Sequence, residues 1–167
     1  MSELPADAVP ERTLLDTKSD YLEGFNRLLG LVRRELRIFD PDLSELDMNS
    51  TERIETLTRF LRQDRAHVVH IALHDIEHVS QHCPRLITLM GSYTAGIRIF
   101  RTQGDAAKVQ DCFVIADADH LVRRPVTTQP RGVLVINDPK ECQPIRERFD
   151  EIWESSVPAV SVNTTGL

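Results

Sequence analysis

The sequence predicts an α/β fold in which a mixed, largely parallel sheet is sandwiched between helices. Three observations lead there: two successive alternations of strand-like and helix-like periodicity between Leu36 and Phe100, two later apolar runs at 112–116 and 132–136, and a closing amphipathic stripe behind a capped start. The first eighteen residues carry Pro5 and Pro10 without periodicity and are expected to form a flexible arm, with the domain over 19–157 and a tail over 158–167. Leu22, Phe25, Leu29, Val32 and Leu36 recur at three or four and predict a helix running into a short strand, Leu36 to Phe39. Asp40-Pro41 ends it. Asn49 and Glu52 have capping-box spacing ahead of Ile54, Leu57, Phe60 and Leu61, a second helix. His67 to Leu73 is mostly apolar on both faces, as a strand inside a parallel sheet should be.

Asp75 is placed to cap a third helix with the stripe Ile76, Val79, Cys83, Leu86, Ile87 and Met90, kinked or restarted at Pro84. Strands follow at Ile97 to Phe100, Cys112 to Ala116 and Gly132 to Ile136. Asp138 as cap, Pro139 at the first helical position and Glu141 at the third open the last helix, with Cys142, Ile145, Phe149, Ile152 and Trp153 along one side. Two strand-helix-strand units in a row imply right-handed crossovers and parallel pairing, and the later strands should extend the sheet antiparallel.

Composition excludes several classes. A chain of 167 residues at 41% hydrophobic is large enough for one core and too small for two large domains. No apolar run approaches the roughly 20 residues that cross a bilayer, so no membrane role is expected. The first residues lack the basic start and apolar core of a signal peptide, which predicts a cytoplasmic protein. Three cysteines spaced 29 and 30 apart, with no CxxC, predict buried reduced thiols rather than a disulfide framework or zinc site. The net charge of −6 disfavours broad nucleic-acid binding but leaves room for a local anion site, since seventeen of the twenty basic residues are arginine.

Asp111-Cys-Phe-Val-Ile-Ala-Asp117, then Gly132-Val-Leu-Val-Ile-Asn-Asp-Pro139 and Phe149-Asp-Glu-Ile-Trp153-Glu-Ser, resemble one half of a phospholipase D-like domain over about residues 20 to 157. Leu36-Arg-Ile-Phe-Asp-Pro-Asp-Leu43, His74-Asp75, Pro84-Arg-Leu86 and Trp153-Glu-Ser-Ser resemble, more narrowly, an uncharacterised bacterial family of such domains, found alone or fused to GNAT-type acetyltransferases. The resemblance implies the signature His-x-Lys-x4-Asp-x6-Gly-Ser-x2-Asn, in which the His attacks phosphorus, Lys and Asn hold phosphate oxygens and Asp supports the His. Aligning its Asp on Asp117 puts Gln110 at the nucleophile, Cys112 at the Lys, Arg124 and Pro125 at the Gly-Ser and Thr128 at the Asn. Only the Asp survives. Two residues before Lys18, Lys108 and Lys140 stand Asp16, Ala106 and Asp138, so no His-x-Lys occurs in any register. The expectation is a catalytically inactive domain that serves as a binding or regulatory module, for an anionic or phosphate-containing ligand or a protein. Single-copy relatives assemble across a twofold, which implies a homodimer, and the fusions imply an acetyltransferase partner.

Ligands of open α/β sheets bind beyond the carboxyl ends of parallel strands, which here carry Asp40, His74, Asp75 and Arg101. Arg123 and Arg124, with Arg101, are candidates for a phosphate-type anion, the alternative being pairing with surface carboxylates. Five of six histidines fall at 67, 70, 74, 78 and 82. His78 and His82 are one helical turn apart and suit a metal only if Asp75 or His74 adds a third ligand; otherwise they are a solvated face. No metal or cofactor is assigned. The competing expectation is a metal-dependent phosphoesterase rebuilt around His74 and Asp75.

Overall fold

The computed structural model describes residues 9–160. In chain order the elements are β1 (Glu11–Leu15), α1 (Lys18–Leu31), β2 (Glu35–Asp40), α2 (Thr51–Gln63), β3 (Val68–Leu73), α3 (Glu77–His82), α4 (Pro84–Ser92), β4 (Ile97–Arg101), β5 (Cys112–Ala116), β6 (His120–Arg124), β7 (Gly132–Ile136), α5 (Pro139–Ser155) and β8 (Val157–Val160), with a short 3-10 turn at Gly104–Lys108. All eight strands share one sheet in the order β1-β7-β6-β5-β2-β3-β4-β8.

The mixed, helix-flanked sheet is the predicted one, but its parallel part is small. Only β2–β3 and β3–β4 pair parallel, each joined by helical crossovers; the other five pairings are antiparallel. The difference comes from three strands that sequence periodicity does not reveal. β1 lies within the stretch expected to be a flexible arm, yet Glu11–Leu15 pairs along β7. β8 begins at the last residue of the expected domain and runs into the expected tail, and its Pro158 is tolerated because the strand is at the sheet edge. β6 is concealed by its two arginines. Residues 1–8 and 161–167 of the expected arm and tail lie outside the described residues.

The helix starts follow local chemistry. Thr17 and Asp20 form a reciprocal capping box on α1, the Thr17 hydroxyl taking the Asp20 N–H at 3.0 Å and the Asp20 carboxylate taking the Thr17 N–H at 3.2 Å. The α2 cap is Ser50 rather than Asn49, whose amide oxygen instead accepts the Arg85 N–H at 2.8 Å. Pro84 restarts the chain as the first residue of α4. Asp138 caps α5 by accepting the Glu141 N–H.

Strand alternation divides the core in two. Leu36 and Ile38 face α1 to α4 with Phe25, Leu28, Leu57, Val79 and Leu86. Phe39, Phe113 and Ile115 face α5 with Phe149 and Ile152. All three cysteines are buried and free.

Candidate functional site

The carboxyl end of β2 places Asp40 on the α1 side, 5% exposed. Its carboxylate accepts the Leu43 N–H at 2.8 Å and the Asp42 N–H at 3.2 Å, closing a turn that holds Leu43 at φ 68°. Burial pushes the Asp40 carboxyl up to about 6, because two amides only partly offset the loss of water. Next to it, Cys112 on β5 and Arg124 on β6 are cross-strand partners. The Arg124 guanidinium is 3% exposed, donates to Glu45 at 2.9 Å and lies 4.8 Å over the Tyr21 ring. Arg124 Nε, Arg124 Nη1 and the Tyr21 hydroxyl have no hydrogen-bond partner among the described residues. Burial also raises the Cys112 thiol, so it stays protonated. Tyr21, Asp40, Cys112 and Arg124 therefore make a closed polar island on the α1 side of the sheet.

An acid whose folded pKa is raised binds protons more tightly when folded, so its contribution to stability is present below the unfolded carboxylate range and falls as pH rises through about 6. Asp40→Asn keeps an acceptor for both amides without the buried charge. We expect it to raise unfolding free energy at pH 7 by about 1–3 kcal/mol and to leave it unchanged near pH 4, as read by urea denaturation at the two pH values.

His74 and Asp75 follow β3, with the imidazole on the α5 side. Its Nδ1 meets the Thr102 hydroxyl at 2.6 Å and its Nε2 the Val109 carbonyl at 2.9 Å. A carbonyl only accepts, so Nε2 carries a proton and donates it to Val109. The ring stands edge-on to Phe39 at 5.2 Å. The His74 and Asp75 amides both donate to the Pro41 carbonyl, and the Asp75 carboxylate accepts the Glu77 N–H at 2.8 Å, one residue ahead of the helix N-cap at Ile76.

Arg123 projects to the α5 side and shares Asp111 with Arg148. Arg123 Nε is 3.0 Å from Asp111 Oδ2, while Arg148 grips both carboxylate oxygens at 2.6 and 2.8 Å. Burial opposes ionisation of Asp111, but the two guanidiniums prevail and hold its carboxyl below the usual range. Arg101 is exposed at the end of β4 and forms no ion pair among the described residues.

The six candidate residues are thus not gathered in one pocket. Asp40 and Arg124 adjoin on one face, His74 and Arg123 lie on the other, Asp75 supports a helix start, and Arg101 stands alone. Tyr21, Glu45 and Arg148 complete these clusters and escaped sequence reasoning. Recognising β6 would have found part of this, since Asp111 and Arg123 share a face once β5 and β6 are paired. Four of the five remaining histidines each lie beside another ring. His67 stacks on Phe60, His70 stacks on Trp153 at 4.5 Å, and His78 and His82 lie 5.1 Å apart. Burial and then Arg98 and Arg37 depress His70 to about 4. Among the described residues no three His, Cys, Asp or Glu side chains converge as metal ligands would.

Asp117, aligned with the Asp of the signature, is separated from Gln110 by the length of β5. It stands beyond the opposite end of β5 at φ 57°, and its carboxylate accepts the N–H groups of Arg33, Arg34 and Glu35 at 3.0, 2.8 and 3.2 Å. It anchors the α1–β2 turn. Gln110 is held by its carbonyl, which accepts the Thr127 N–H at 2.8 Å.

This strand order and helix placement define a phospholipase D-like fold. Nuc of Salmonella typhimurium, a phospholipase D family member, superposes with a TM-score of 0.62 at 11% identity, over 92% of this chain and 100% of its own. NucT of Helicobacter pylori gives 0.60 at 12% identity, over 90% and 100%. TrmBL2, an archaeal chromatin protein described as showing a novel mode of DNA binding, gives 0.66 at 10% identity over 93% of this chain; the chain spans 57% of TrmBL2. The chain belongs to the family described as Domain of unknown function (DUF7931), whose model matches residues 17–164. No curated protein matches it.

Proposed function

We propose that this chain is a phospholipase D-like domain that does not cleave phosphodiesters and acts as a binding or regulatory module. One observation carries the reading. Where the superfamily's nucleophile and phosphate-holding lysine would stand are Gln110 and Cys112, and beside Cys112 the Arg124 guanidinium is sealed against Tyr21 and Glu45. A carboxamide cannot form the phosphoryl-enzyme bond that an imidazole forms, and a protonated thiol supplies no fixed positive charge.

The ligand class follows from how the arginines are used. Arg123 and Arg124 are already engaged by carboxylates, Arg123 sharing Asp111 with Arg148 and Arg124 sharing Glu45 with Lys18. That favours a protein partner over a small anion, with a second copy of this chain and an acetyltransferase as the candidates that the family resemblance implies. No helix among the described residues is long and apolar enough to cross a membrane. A metal at His74 would first have to displace Thr102 or Val109 from the ring.

The test is an assay of purified protein on bis(p-nitrophenyl) phosphate, with and without added zinc or manganese. We expect no turnover above the buffer rate in any condition. Metal-dependent turnover abolished by His74→Ala would overturn the proposal in favour of a rebuilt phosphoesterase.

A further inference from the structure

Eleven of the seventeen arginines make no ion pair among the described residues, and three of these share one face remote from the positions just discussed. Six arginines are tethered: Arg12 to Glu141, Arg27 to Glu11, Arg37 to Glu35, Arg123 and Arg148 to Asp111, Arg124 to Glu45. Three of the unpaired ones meet along the outer seam between α2 and α4. Arg59, Arg62 and Arg85 are exposed there, and no carboxylate among the described residues comes within ion-pair distance of them. Arg85 bonds only to the neutral Asn49, through its carbonyl at 3.1 Å and its side-chain oxygen.

The three guanidiniums rim a groove. Its two sections, of about 490 and 340 Å3, run into each other through Ile54, Thr58, Arg62 and Arg85. Leu89 and Tyr93 add to the apolar lining, and Glu55 is the one acidic residue of the whole groove. An apolar floor under a basic rim fits one kind of occupant well: a segment that presents an apolar stripe on one side and carboxylates flanking it.

We propose that the α2–α4 groove docks an acidic amphipathic segment of a partner protein, its apolar residues on Ile54, Leu89 and Tyr93 and its carboxylates on Arg59, Arg62 and Arg85. The site is separate from the phosphodiester positions and stands whether or not those are silent. Charge complementarity argues for this occupant: the groove is basic in a chain of net charge −6, so long-range repulsion counts against a nucleic acid while a short acidic segment feels the local field. A bilayer surface is disfavoured because Ile54 and Tyr93 are half-buried and Leu89 is buried, a footing for individual side chains but no projecting apolar surface to insert.

The experiment is fluorescence anisotropy of the full chain with a labelled peptide probe of about fourteen residues, glutamates with leucines at i, i+3, i+4 and i+7 spacing. We expect saturable binding that weakens as salt rises. Arg59→Glu combined with Arg62→Glu, two exposed positions on α2 that make no side-chain bond, should weaken it on the order of 100-fold, and replacing the probe's leucines by serines on the order of tenfold. A circular-dichroism melt matching the parent chain shows that the double variant is folded; Arg85→Glu is the independent second variant. No binding at low salt, equal binding by folded variants, or tighter arginine-dependent binding of a same-length oligonucleotide or of phosphatidylserine vesicles would overturn the proposal. Turnover in the phosphodiester assay would leave it standing, which separates the two claims.

Discussion

Replacing Asp111 by alanine should lower the free energy of unfolding by about 3 kcal/mol at pH 7, measured by urea denaturation. The carboxylate is 4% exposed and receives hydrogen bonds from both Arg123 and Arg148. Removing it leaves two guanidiniums facing each other across a partly buried site. The guanidiniums retain some contact with water, which keeps the cost at the lower end of the range for a broken buried pair. The pH dependence has a definite sign. A carboxyl whose folded pKa is depressed contributes stability above its unfolded pKa and loses it as pH falls through the folded value. The gap between parent and variant should therefore narrow below about pH 4. A loss under about 0.5 kcal/mol at pH 7 would show that the cluster is only a surface pairing.

Phe113→Ala should cost about 4 kcal/mol in the same measurement. Phe113 is fully buried on the α5 side, 5.2 Å from the Phe39 ring and 6.4 Å from Phe149, so its removal opens a cavity where sheet and helix meet. The Arg148 guanidinium that grips Asp111 also lies 5.5 Å over this ring. Because the two substitutions share Arg148, the double variant should lose less than the sum of the singles, by at least about 0.5 kcal/mol. Strict additivity would mean that Arg148 does not couple helix α5 to the sheet.

The heart of the fold was readable from periodicity because its strands are apolar on both faces and its helices carry clear stripes and caps. Val68–Leu73 and Cys112–Ala116 are of this kind, and the Asp138-Pro139 start of α5 is where the residues put it. What escaped was whatever depends on a partner distant in sequence. β1 reads Glu-Arg-Thr-Leu-Leu, without an apolar-polar alternation, and becomes a strand only through pairing with β7. β6 ends in two arginines that look like a surface turn until Asp111 and Glu45 are seen to bind them from 12 and 79 residues away. The site was legible to the same extent. Asp40, His74 and Asp75 do lie at the carboxyl ends of the parallel strands, but alternation sends Asp40 and the His74 ring to opposite faces, and the side chains that satisfy them come from elsewhere in the chain.

The proposal that the domain does not cleave phosphodiesters is tested most directly by looking for the covalent intermediate of that chemistry. Intact-mass spectrometry of the chain, quenched at high pH within seconds of mixing with excess bis(p-nitrophenyl) phosphate, should return only the unmodified mass. A phosphoryl adduct that localises to a histidine and disappears on further incubation would contradict it.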